Sequence, residues 1–158
     1  MIKRNFQFSI FNFQLKTGFT LIEILIVIAI ISMMVALAFP NFFAARQRAR
    51  DVQRKSDLKQ IQKALELAKS DQSPVAYPTS TGNTLPVGCV TPWTNSGGTN
   101  TYMPKMPCDP LGPTQYYYNR PGTLNYTLYA CLENGSDPDK DSSKQAACSA
   151  ASYTLNEP

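Results

Sequence analysis

Residues 16–40 read KTGFTLIEILIVIAIISMMVALAFP, and the fold turns on this stretch. From Ile24 to Phe39, Ser32 is the only residue that is not apolar. Carried back to Phe19, the run is 21 residues long, interrupted by Thr20, Glu23 and Ser32. As an α-helix rising ~1.5 Å per residue it spans about 31 Å, close to the ~30 Å hydrocarbon core of a bilayer. A cleaved secretory signal is the competing assignment, but its apolar region is ~7–15 residues long and ends at a small-residue cut site. Here Pro40, Asn41, Phe42 and Phe43 follow, and Ala44-Ala45 is only a weak site, so the segment is expected to be retained.

Glu23 stands out, because a carboxylate within a span costs several kcal/mol unless it is paired or interfacial. A cut between Gly18 and Phe19 would create an α-amino group within about one helical turn of Glu23. In a single molecule the two charges could pair at the interface. In a bundle of parallel helices, the amine of one subunit could meet the Glu23 of a neighbour.

The order Lys16-Thr17-Gly18-Phe19-Thr20-Leu21-Ile22-Glu23, then an apolar helix and Pro40, resembles the class III signal of type IV pilins and the related pseudopilins. The strict resemblance covers residues 16–40, and a looser one runs to about residue 70. It implies a prepilin peptidase that cuts after Gly18 and methylates the amine of Phe19, and a Glu23 that guides each subunit into the filament base. It also implies an α+β fold: a long N-terminal α-helix, half transmembrane and half amphipathic, packed on a small antiparallel sheet. Two features depart from the simplest pattern. The leader, residues 1–18, holds four phenylalanines (Phe6, Phe8, Phe11, Phe13), and five basic residues follow the span within 46–55 against three before it. A positive-inside count alone would favour the opposite orientation; the motif is given precedence.

Beyond Pro40 the chain has no Gly or Pro until Pro74. Leu58, Ile61, Leu65 and Ala68 fall 3, 4 and 3 apart, one stripe of an amphipathic helix, with Val52 and Ala49 on roughly the same side. Asp51–Lys55 at i,i+4 would support the helix and Lys59–Lys63 would weakly oppose it. A helix of about 50 residues from Phe19 is therefore expected. Pro40 removes one of its hydrogen bonds and should bend it.

The formal +4 is unevenly spread. Residues 1–18 carry +3, Glu23 supplies −1, residues 41–70 carry +5 (eight basic, three acidic) and residues 71–158 carry −3 (four basic, seven acidic). The basic run Arg46–Lys63 lacks interleaved aromatics, which argues against nucleic acid as a direct partner. A solvated face, or one facing acidic parts of neighbouring subunits, fits better.

Residues 74–158 hold all 12 prolines except Pro40 and all eight glycines except Gly18, the composition of a loop-heavy domain with few strands. Strands are expected at 115–120 and 124–133, turning around Pro121-Gly122, with a third near 153–155. Leu124, Tyr126, Leu128, Ala130 and Leu132 alternate with polar or half-polar neighbours, a half-buried pattern. So small a core needs staples, and Cys89, Cys108, Cys131 and Cys148 all follow the span. Without histidine, a zinc site would need all four thiolates at unusual spacings, so disulfides are favoured. Of three connectivities, the expected one is Cys131–Cys148, closing the loop after the long strand, with Cys89–Cys108.

Asp137, Asp139 and Asp141 alternate inside that loop, a pattern that suits Ca²⁺ or a solvated acidic turn, the second being preferred. An EF-hand is excluded, because its glycine position is Ser142 and its closing Glu position is Cys148. Major pseudopilins resemble this part in carrying a Ca²⁺-binding C-terminal loop, though their ligand pattern is not closely reproduced. No cofactor is otherwise implied.

With no histidine, the Ser–His–Asp and Cys–His nucleophiles are excluded, and no Gly-rich phosphate loop is present. No catalytic residue is expected, and the chain is not read as an enzyme. The expected organisation is a leader (1–18), a filament-core or transmembrane helix (19–40), its amphipathic continuation (41–72) and a disulfide-stapled β domain (73–158). The resemblance implies a subunit stored in the inner membrane among lipid, then extruded into an extracellular or periplasmic helical filament of its own kind. Its partners would be the peptidase and an ATPase-driven inner-membrane assembly platform, with nucleic acid touched only indirectly through DNA uptake. The alternative is an anchored extracytoplasmic binding module that does not polymerise, contacting a ligand through loops around Trp93 and Tyr116–Tyr118.

Overall fold

Between Leu21 and Ser70 the chain carries no glycine and a single proline, and it forms one α-helix, α1 (Leu21–Ser70, 50 residues). The computed structural model describes residues 18–158, so the leader as far as residue 17 lies outside the described residues, as does the side chain of Pro40. Thr20 and Glu23 build the start of α1. Glu23 Oε2 accepts the Thr20 backbone N–H (2.7 Å) and hydroxyl (2.8 Å), and Thr20 Oγ1 accepts the Glu23 N–H (3.3 Å). This is a capping box, in which two orphan N–H groups of the first turn satisfy each other's residue. At the far end, Gln72 N–H donates to Lys69 O (3.3 Å), and the Lys69 cation in the last turn suits the helix dipole.

Two compact units part after Pro40. In the first, every large apolar side chain from Phe19 to Phe39 is exposed, from 47% at Val35 to 85% at Phe19. By length and composition α1 could cross a membrane: its most apolar window has a mean hydropathy of 2.9 and none of it is buried.

The second unit, residues 41–158, is an α+β domain. Five strands follow α1: β1 (Trp93–Thr94), β2 (Thr101–Met103), β3 (Tyr117–Gly122), β4 (Asn125–Leu132) and β5 (Ala151–Asn156). They form an antiparallel β1–β2 pair and an antiparallel sheet in the order β3-β4-β5. In the larger sheet Tyr118 pairs with Leu128 and Leu128 with Leu155, while Leu132 faces Ala151.

The expected apolar stripe of α1 is the floor of the core. Leu58, Ile61, Leu65 and Ala68 are all within 1% of complete burial, joined by Ala64. They pack with Tyr77, Tyr118, Tyr126, Leu128 and Ala130, and with Trp93 and Met103 from the smaller sheet. Each large aliphatic side chain so buried contributes about 1.5–3 kcal/mol. The core is unusually rich in tyrosine, and the hydroxyls of Tyr118, Tyr116 and Tyr77 find partners, whereas the buried Tyr126 hydroxyl has none among the described residues. Tyr118 donates to Pro78 O (2.8 Å), Tyr116 to the Asp57 carboxylate (2.7 Å) and Tyr77 to Glu66 (2.5 Å). Tyr77 and Tyr126 also meet edge to face at 4.7 Å.

Three expectations need correcting. Val52 is 61% exposed and Ala49 is also exposed, because at that end the buried side of α1 is Asp51, Arg54 and Asp57. The hairpin turn is Thr123-Leu124 rather than Pro121-Gly122, since Gly122 pairs with Asn125. Pro121 instead sits where the β3–β4 register shifts, on an edge strand that can tolerate a missing N–H. Leu124, placed in the turn, is therefore 51% exposed. Finally, β1 and β2 were not anticipated, being only two and three residues long.

Candidate functional site

The N-terminal candidates lie at and just before the start of α1. Gly18 and Phe19 precede the helix, are exposed, and have no regular secondary structure. Among the described residues nothing lies within 4 Å of where a Cβ on Gly18 would sit. Glu23 is exposed one turn inside α1, with one carboxylate oxygen held by the two Thr20 donors. Those bonds partly replace hydration and lower the cost of holding a carboxylate at the edge of an apolar run. The sequence signal for this was Thr-x-x-Glu, whose capping meaning was overlooked in favour of the charge alone.

The second half of α1 holds a cluster that sequence reasoning missed. Arg54 is buried, its side chain 3% exposed, and it reaches three carboxylates. Nη1 donates to Asp51 (2.8 Å) and Glu133 (2.8 Å), while Nε and Nη2 grip Asp109 at 2.7 and 2.9 Å. Arg50 adds a two-pronged grip on Glu133 (2.7 and 2.5 Å). The fully buried Asp51 also accepts the backbone N–H groups of Glu133 (3.0 Å) and Asn134 (2.8 Å). The end of β4 and the loop at Asp109 are thereby tied to one helical turn. Arg50 first, with Arg54 and against the cost of burial, holds the Glu133 carboxyl down to about 2. Burial works to raise Asp109, but Arg54 and the Leu111 N–H outweigh it and the net shift is downward.

The +5 segment thus meets much of the −3 segment inside one chain, where pairing between subunits had been expected. Asp51 bonds Arg54 at i,i+3 rather than Lys55 at i,i+4. Arg48, Lys59 and Lys63 remain on the exposed side of α1.

The three loop aspartates do not converge. Asp137 and Asp139 face Lys55, whereas Asp141 turns to β5, accepting from the Ser152 hydroxyl (2.5 Å), the Thr154 hydroxyl (2.7 Å) and the Thr154 N–H (3.1 Å). Among the described residues no group of three or more acidic or thiol side chains is arranged to hold a metal ion. Asp137, Asp139 and Asp141, weighed as Ca²⁺ ligands second to a solvated acidic turn, thus have protein partners on two separate elements, α1 and β5.

Cys131 and Cys148 are bridged and close the loop between β4 and β5. Cys89 and Cys108, expected to form a second bridge, are both thiols. Burial, and a hydrogen bond donated to the Cys108 sulfur, push the Cys89 thiol up to about 12.

Comparison with known proteins agrees with this geometry. Residues 14–39 match the prokaryotic N-terminal methylation motif, and residues 41–149 match the type II secretion system protein G family. The type II secretion system core protein G of Pseudomonas aeruginosa is 34% identical over 142 residues, covering 80% of this chain and 92% of that protein. Its namesake from Vibrio cholerae is 31% identical over 111 residues, 68% of this chain and 73% of that one. Over 34 residues, 22% of this chain and 26% of the other, identity to the major component of the type IV wide pilus of Thermus thermophilus reaches 65%. No solved structure matches the chain. The two family matches meet at Pro40. The chain belongs to the type II secretion system protein G family.

Proposed function

We propose that this structural filament subunit is cut after Gly18, methylated on the new amine of Phe19, and assembled from the inner membrane into a periplasmic pseudopilus serving protein secretion. The chain is a filament component by family, and the family is structural rather than enzymatic. The observation that carries the finer reading is the bare apolar half of α1, whose large apolar side chains from Leu21 to Leu37 are all exposed. Lipid satisfies them before assembly and the same helices of other copies satisfy them afterwards. Glu23 selects the register, its carboxylate passing from Thr20 to the Phe19 amine of a neighbour. The proposed partners are a prepilin peptidase, an inner-membrane platform and further copies of the chain.

Intact mass of the detergent-extracted protein from its own host tests the processing. A chain starting at Phe19, one methyl heavier, and gaining the two hydrogens of a single disulfide on reduction, is the expected result. A chain that retains residues 1–18, or one cut near Ala45, would contradict it.

A further inference from the structure

Asp137 and Asp139 lie two residues apart in a tight loop, and a pair of carboxylates so placed repels unless a cation lies between them. The cation is in the chain. Lys55 Nζ donates to Asp137 Oδ1 (3.0 Å) and Oδ2 (3.1 Å) and to Asp139 Oδ2 (2.8 Å). The Lys55 side chain is 14% exposed and that of Asp137 only 8%, so that pair is sheltered from solvent, while Asp139 is 61% exposed.

We propose that Lys55 is a built-in cation that closes the acidic loop 134–141 onto α1, so that the loop is ordered without a divalent ion. Three N–H donors of one ammonium engage three of the pair's four carboxylate oxygens, whereas Ca²⁺ asks for six to eight oxygens at about 2.3–2.6 Å. Lysines also hold one carbonyl of the loop and two beyond it. Lys140 Nζ donates to Gly135 O (2.6 Å), and Lys144 Nζ to Cys148 O (3.0 Å) and Ser149 O (2.9 Å). Backbone carbonyls are the second kind of ligand that a hard cation uses, and here ammonium groups hold those of Gly135, Cys148 and Ser149. Asp141 is committed to β5. A divalent ion would have to displace Lys55 from a largely buried pair and break the Asp141 bonds to recruit a third carboxylate.

The test is thermal unfolding of the full chain in detergent, followed by near-ultraviolet circular dichroism of its tyrosines, in chelator and in millimolar calcium chloride. The two melting midpoints should agree within about 1 °C. A saturable calcium-dependent rise would overturn the proposal. In chelator, Lys55→Met should lower the midpoint by about 5 °C, because Asp137 is left sheltered without its cation. A Lys55→Met protein melting like the wild type would also overturn it. Should that variant not fold, the wild-type comparison decides alone.

Discussion

The two halves of α1 solve one problem in opposite ways. From Leu21 to Phe39 the large apolar side chains are all exposed, whereas from Asp51 to Ala68 the inward positions at 51, 54, 57, 58, 61, 64, 65 and 68 are all buried. The second half finds its partners within its own chain: an apolar stripe against the sheet, and an ionic stripe against Asp109 and Glu133. The first half leaves its large apolar side chains exposed, and that hydrophobic surface is a demand on lipid or on other subunits. A single helix can therefore be a domain's core at one end and an assembly element at the other.

The largest effect should come from breaking the self-satisfied half at its ionic end. Arg54→Ala leaves Asp51, Asp109 and Glu133 facing one another with a cation removed, and should cost about 3–5 kcal/mol in urea unfolding of the detergent-solubilised chain. A loss under about 1 kcal/mol would mean that the cluster behaves as a surface network. The apolar stripe gives a slightly smaller and sharper contrast. Leu65→Ala should cost about 3 kcal/mol, and Val52→Ala, one residue beside the buried Asp51, should stay within about 0.5 kcal/mol. Similar losses at both positions would erase the distinction between the inner and outer faces.

Acid titration should produce a smaller, graded change. A carboxyl whose folded value lies below its free value adds stability above the free value and loses it as pH falls through the folded one. Glu133, ordinarily near 4.5 and here held down to about 2, sets the window, and Asp109 and Asp137 shift in the same direction. Stability should therefore be flat from neutrality to about pH 4.5 and decline toward pH 2. Asp57 opposes this: burial raises its carboxyl despite the Tyr116 hydroxyl, so acid favours the fold at that one site. Urea midpoints across this range check the sign; a rise in stability below pH 4.5 would mean that Asp57 outweighs the cluster.

What was legible in the sequence had local causes. The apolar run, the Gly18–Phe19–Glu23 order and the Leu58-to-Ala68 spacing each depend on residues a few positions apart. What was missed depends on distant ones. Arg54 meets Asp109 55 positions on and Glu133 79 positions on, and Lys55 meets Asp137 82 positions on. Periodicity counted in apolar residues could not see that the inward stripe continues as Asp51, Arg54 and Asp57, since charges are buried only where the fold supplies partners. The loop aspartates misled for the same reason: their alternation is visible, but the lysine between them comes from another element.

The most direct test of an outward-facing first half and an inward-facing second is Glu23→Ala, expressed at wild-type level in the native host. Sheared filaments are counted by electron microscopy, the protein in the membrane fraction is quantified, and the extracted protein is melted. Lost filaments, with membrane content and melting midpoint unchanged, are the predicted result. Filaments at wild-type number and length would contradict the assignment of Glu23, and with it the account of how the bare half of α1 finds its partners.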